Sequence, residues 1–110
     1  MNPGYNTKTI VYEDRTFTVY MLNFENGLII SIFEKTCKIG PMLISIASGP
    51  VPSTSTIIPT KSEELFLKLL AENISAFMKG ICLITANFEK SLDSETTKQL
   101  MHEIMGEIKQ

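Results

Sequence analysis

The chain has 110 residues, a formal net charge of −2, 44% hydrophobic and 20% charged residues, two cysteines and one histidine. That length suits one domain, able to bury about two thirds of its unfolded surface without a metal or disulfide staple, and the composition is that of a globular rather than a disordered chain. A slightly acidic balance with a single arginine, Arg15, offers no basic field for a phosphate backbone, so nucleic acid is not an expected partner and protein is the default.

Strands come first along the chain. Thr9 to Glu13 and Thr16 to Phe24 read as strands joined at Asp14-Arg15, rich in β-branched and aromatic residues. Asn26-Gly27 then separates Thr16–Phe24 from Leu28–Lys35, and Asn-Gly is the strongest short-range signal for a two-residue type I′ hairpin. Placing Glu25 opposite Leu28 puts Phe17, Val19, Met21, Leu28, Ile30 and Ile32 on one face and Tyr20, Leu22, Phe24, Ile29 and Phe33 on the other. Both faces are apolar, whereas an antiparallel sheet with one wet face alternates apolar with polar residues; both faces therefore call for cover.

Lys38-Ile39-Gly40-Pro41 reverses the chain, and Met42 to Ala47 forms another apolar strand. From Ser48 to Ser62 the prolines and the Ser/Thr run describe a long surface loop, with an edge segment around Thr56 to Ile58. A helix begins near Ser62, whose hydroxyl is placed to cap it, with Glu63 and Glu64 at the positive end of its dipole. Its expected inward stripe is Leu65, Phe66, Leu69, Leu70, Ile74, Phe77 and Met78, and Gly80 is its expected stop. Ile81 to Phe88 reads as a central strand with Cys82, Ile84, Ala86 and Phe88 on one side. Asp93 or Ser94 caps a second helix, whose stripe is Leu100, Met101, Ile104, Met105 and Ile108. The expected fold is α+β: an antiparallel sheet of about five to six strands with two helices on one face, in the order β-β-β-β-loop-α-β-α, forming a single domain over residues 1–110.

No catalytic, cofactor-binding or metal constellation accompanies this scaffold. His102-Glu103 resembles the opening of a zinc-protease helix, but the chain has no second histidine. Cys37 and Cys82 lie far apart, without a second cysteine or histidine at ligand spacing; Cys82 reads as a buried hydrophobe and Cys37 as a free thiol in a turn. Gly27, Gly40 and Gly49 each fall in a turn and none opens a helix where phosphate docks. Asn73-Ile74-Ser75 matches a glycosylation acceptor but lies mid-helix, and Ser53 to Thr56 reads as a solvated linker ahead of a phosphorylation cluster. A hidden enzyme site in the Ser48–Ser62 loop lacks convergent titratable groups apart from Lys61. Met1-Asn2-Pro3-Gly4 shows neither a charged n-region nor an apolar core, and Leu65 to Phe88 is interrupted by Lys68, Glu72, Asn73 and Lys79. No membrane association is therefore expected, and a cytoplasmic or nuclear location is.

Ile29-Ile30-Ser31-Ile32-Phe33 through Lys38-Ile39-Gly40, then Met42-Leu43-Ile44-Ser45, resembles the central hairpin of the proteasome assembly chaperone 3 family. Phe66 to Phe77, the strand Ile81 to Asn87 and the closing helix resemble that family's C-terminal half. The likeness runs from about Gly27 onward and rests on apolar patterning and Lys-x-Gly in a turn; the N-terminal strands and the Pro/Ser/Thr loop match poorly. The resemblance implies a non-enzymatic chaperone that pairs with itself or with a second small assembly chaperone, binds an alpha-type subunit and helps build the alpha ring of the proteasome core particle. On that reading the helices meet the Phe17 face, and Tyr20, Leu22, Phe24, Ile29 and Phe33 lie under the partner. The other reading of the same scaffold is an adaptor or signalling interaction module, because fold alone does not fix function.

Overall fold

The computed structural model describes residues 4–60 and 62–110; Lys61 and the N-terminal stretch before Gly4, both named above, lie outside the described residues. Six strands form one sheet: β1 (Gly4–Tyr12), β2 (Arg15–Phe24), β3 (Gly27–Phe33), β4 (Met42–Ile46), β5 (Ser53–Ile58) and β6 (Ile81–Asn87). Helices α1 (Glu64–Met78) and α2 (Ser94–Ile108) pack on one side of it. The spatial order is β1-β2-β3-β6-β4-β5. The sheet is mixed, because β6 runs parallel to β3 while the other pairings are antiparallel. Sequence alternation carries no strand direction, so this parallel pair is invisible until β6 is placed between β3 and β4.

The hairpin register differs from the expected one. Phe24 pairs with Gly27 and Leu22 with Ile29, so Glu25-Asn26 is the turn and Gly27 is the first residue of β3. None of these turn residues takes a positive φ, so the type I′ geometry that Asn-Gly favours is not used. The reason is tertiary: a Cβ on Gly27 would stand 2.3 Å from the Ile81 carbonyl oxygen, so this glycine is spent on letting β6 approach. The register moves by two residues, the full period of a strand, and every side chain keeps its face.

The core lies between the sheet and the helices. Phe17, Val19, Met21, Leu28, Ile30 and Ile32 are buried there with Leu43, Cys82, Ile84 and Ala86. Helix α1 buries Phe66, Leu67, Leu70, Ala71, Ile74 and Ser75. The inward stripe is thus rotated from the expected one: Leu67 is interior, whereas Leu65, Leu69 and Phe77 are exposed. A run as apolar as Leu65 to Leu70 fits more than one helix face, and the sheet selects among them. Glu63, not Ser62, is the N-cap, and makes no side-chain cap bond; Ser62 instead hydrogen-bonds the Glu63 carboxylate. At the other end Lys79, not Gly80, takes the left-handed conformation (φ 54°), and Gly80 serves close approach, since a Cβ there would meet the Asn26 carbonyl oxygen at 2.2 Å. Helix α2 is capped by Asp93, whose Oδ1 accepts from the Thr96 amide at 2.7 Å and whose carboxyl that bond holds below its ordinary pKa.

Gly27→Ala is expected to lower the unfolding free energy by about 1–3 kcal/mol, because only backbone can give way beside it. Gly106→Ala, on the open flank of α2 with nothing within 4 Å, is expected to raise stability by about 0.5–1 kcal/mol. Urea titrations of both variants check the contrast.

Candidate interaction surface

The pairing register carries one continuous face across all six strands on the side away from the helices. It presents Tyr5 from β1, Tyr20, Leu22 and Phe24 from β2, and Ile29 and Phe33 from β3. From β6 come Ile81 and Leu83, and from β4 come Met42, Ile44 and Ile46. None of the described strand residues on this side is Asp, Glu, Lys or Arg. Leu22 is 42% exposed, Phe24 43%, Ile29 39% and Ile46 39%, a contiguous apolar surface that a protomer in water leaves uncovered.

Of the five residues singled out by sequence, Leu22, Phe24 and Ile29 stand open, and Tyr20 is half-buried. Phe33 is only 6% exposed, its ring edge-on to Tyr20 at 5.0 Å between centroids, so it supports the face from within. Ile81, Leu83, Met42, Ile44 and Ile46 were not singled out. Their signal was present in the unbroken apolar runs of both strands, but which neighbours they join depends on β6 lying between β3 and β4.

Two polar side chains of β6 on this face are already engaged. Thr85 Oγ1 accepts from the Gly40 amide at 3.1 Å and donates to the Gly40 carbonyl at 3.4 Å, and Asn87 Nδ2 donates to the Thr36 carbonyl at 2.9 Å. Covering the face therefore leaves neither side chain newly unpaired, which removes a penalty of about 1–3 kcal/mol per group.

The most buried charges lie at the other side of one sheet end. Arg15 Nε donates to Glu34 Oε2 at 2.8 Å, and a terminal guanidinium nitrogen reaches Oε1 at 2.5 Å. The Glu89 amide also donates to Oε1, at 2.9 Å, and Arg15 donates to the Lys90 and Ser91 carbonyls while stacking 5.1 Å over the Phe17 ring. This clamp ties β2 and the end of β3 to the loop entering α2. Each member is spoken for, which makes it a structural ion pair and not a poised acid–base dyad. The remaining titratable groups show no convergence: among the described residues no three His, Cys, Asp or Glu side chains gather as metal ligands. Burial pushes the Cys82 thiol up to about 12, Cys37 is exposed, and His102 sits on the exposed surface of α2. No helix among the described residues is long and apolar enough to cross a membrane.

With that geometry in place, the comparisons with known proteins concern the fold. A chain from the crystal structure of a chaperone complex for yeast 20S proteasome assembly superposes with a TM-score of 0.59. The match covers 96% of this chain and 90% of that one at 15% sequence identity. The chain has the fold of that chaperone-complex chain. No protein-family model matches the sequence, and no curated protein matches it.

The Arg15 hydrogen bond, foremost, holds the Glu34 carboxyl below its ordinary pKa. Below about pH 4.3 the unfolded chain protonates this carboxyl before the folded one does. Its contribution is therefore whole above that pH and is lost as pH falls through the depressed folded value. Glu34→Gln is expected to flatten this acid limb of a urea-midpoint-against-pH profile. Arg15→Met, which strands the buried carboxylate, is expected to cost about 3 kcal/mol at neutral pH.

Proposed function

We propose that the protein is a non-enzymatic assembly chaperone that pairs through the open face of its sheet and, as a pair, helps build the alpha ring of the proteasome core particle. The observation that carries this reading is the uncharged apolar face opposite the helices. Two such sheets laid face to face, about 10 Å apart, would form a sandwich with the helices outside. A surface whose strand residues include no Asp, Glu, Lys or Arg also suits a lasting interface, where buried charges are depleted, more than a transient polar one. The fold shared with a chain of a yeast 20S proteasome assembly chaperone complex supports the same direction.

On this reading Leu22, Phe24 and Ile29 insert into the partner, with Ile44, Ile46 and Leu83 extending the contact across the sheet. Tyr20 and Phe33 stiffen it from beneath. The partner in the pair is a second copy or a related small chaperone, and the pair binds an alpha-type subunit, in the cytoplasm and the nucleus. No cofactor or metal takes part, because the protein works by occupying a surface.

Ile29→Lys tests the pairing. A cation in the middle of a desolvated face is expected to shift the sedimenting species from dimer to monomer, or to abolish capture of the partner chaperone, while circular dichroism and the urea midpoint stay near wild type. A wild-type chain that remains monomeric and recovers no small partner from extract overturns the proposal. Affinity capture from cell extract is expected to return alpha-type proteasome subunits; recovery of vesicle-coat or signalling proteins in their place would favour an adaptor.

A further inference from the structure

The two edges of the sheet are held in different ways. At one edge β1 pairs with β2 along all nine of its residues, buries Ile10 in the core and sends Lys8 to Glu103 and Glu107 of α2. At the other edge β5 pairs with β4 across a register shift between Met42 and Leu43. None of the six residues of β5 is buried, and its only apolar side chains are Ile57, 52% exposed, and Ile58, 39% exposed. β1 is therefore anchored by core packing, whereas β5 draws little from the hydrophobic effect.

What fastens β5 is a polar seam with α1. Thr54 and Thr56 take the register positions beside Ser45 and Leu43, both buried on the helix side. Thr54 Oγ1 donates to Glu72 Oε2 at 2.6 Å, and Thr56 Oγ1 donates to Glu64 Oε1 at 3.2 Å. Glu64, Lys68 and Glu72 recur at four-residue spacing, a charged stripe of α1 beside the buried stripe of Phe66, Leu70 and Ile74. Water competes for hydrogen bonds at such a seam, because their donors and acceptors are already partly solvated.

Beneath β5 the fold is already closed. Ser45 Oγ, wholly buried, lies 2.9 Å from Ser75 Oγ as well as 3.2 Å from Thr54 Oγ1, and Ser75 donates in turn to the Glu72 carbonyl at 3.2 Å. Taking Thr54 away leaves Ser45 with a partner, so no buried hydroxyl is stranded. β4 also keeps its ladder to β6. Pro52 and Pro59 bound β5 on either side, and neither has an amide with which to extend the ladder past these six residues.

We propose that β5 is a releasable strap, which opens from β4 as one unit by giving up its backbone ladder and the two threonine-to-glutamate bonds, while the other five strands and both helices stay folded. Opening uncovers the outer backbone edge of β4, so the strap decides whether the sheet ends on a polar Ser/Thr strand or on an apolar one. The device is carried by β4, β5 and α1 and stands whether or not the protein pairs through its sheet.

Native-state hydrogen exchange on the full chain, followed by NMR at rising sub-denaturing urea, tests the strap. The β5 amides bonded to β4 are expected to be about 100-fold less protected than those of β6, with little dependence on urea, as befits a local opening that exposes little surface. Glu72→Ala removes an acceptor from α1 while leaving a strong helix former in its place. It is expected to lower β5 protection about tenfold further, with β3 and β6 protection and the urea midpoint near wild type. Glu72→Gln, which still accepts through its amide oxygen, is expected to restore most of that protection. β5 amides that exchange at the rate and with the urea slope of β6 overturn the proposal. So does a Glu72→Ala variant that leaves β5 unchanged or loses protection evenly over all six strands.

Discussion

Everything in this fold depends on seating β6 between β3 and β4. The two strands are chain neighbours that leave a one-strand gap, and β6 fills it after β5 and α1 have intervened. It bonds in parallel to one side and antiparallel to the other, and at its ends the backbone ties continue: Ile81 to Asn26 at 3.0 Å, Glu34 to Asn87 at 2.9 Å and Ala86 to Pro41 at 3.1 Å. Such intimacy is bought with missing side chains. Gly27 and Gly80 clear space at the entry of the strand and Gly40 at its exit, each where a Cβ would press on a carbonyl oxygen.

That one insertion shapes both sides of the sheet. On the helix side, β6 contributes Cys82, Ile84 and Ala86 to a core that α1 and α2 close, and α1 must turn Leu67 and Leu70 toward it. The rotation leaves Leu65 and Leu69 exposed beside α2. On the other side β6 joins Ile29 to Leu83 and Ile44 in one row of paired residues, merging the apolar residues of β2, β3 and β4 into one continuous face. A sheet covered by helices on one side only has no internal means of shielding such a row, and recognition is the physical outlet for it.

The charged groups follow the same division. Arg15 and Glu34 close one end of the core with each other and with backbone from the loop before α2, and Lys8 holds α2 against β1 through Glu103 and Glu107. These ionic contacts lie on the helix side. The open sheet face carries none, so covering it with an equally apolar partner incurs little desolvation of charge.

The sequence by itself determined β2, β3, β4 and β6, both helices, the α+β class and the division of the β2–β3 hairpin into a Phe17 face and a Leu22 face, because alternation and helical period are local properties of the chain. β1 instead starts at Gly4 rather than Thr9, and β5 occupies Ser53–Ile58 inside the expected Ser48–Ser62 loop, where edge pairing with β4 orders a polar run. The sequence also marked Tyr20, Leu22, Phe24, Ile29 and Phe33 as apolar surface in need of cover, since the opposite face of the same hairpin is itself filled by Phe17, Val19, Met21, Leu28, Ile30 and Ile32. Only the tertiary structure decided the direction and neighbours of β6, the two-residue shift at Glu25-Asn26, the burial of Phe33 beside Tyr20 and which leucines of α1 face inward. Each of these is settled by a contact between residues far apart in sequence: Gly27 against Ile81, Ser75 against Ser45, Leu83 between Ile29 and Ile44. Apolar residues announce that they need cover, but the hydrophobic effect is non-directional, and only packing and backbone hydrogen bonding say where the cover comes from.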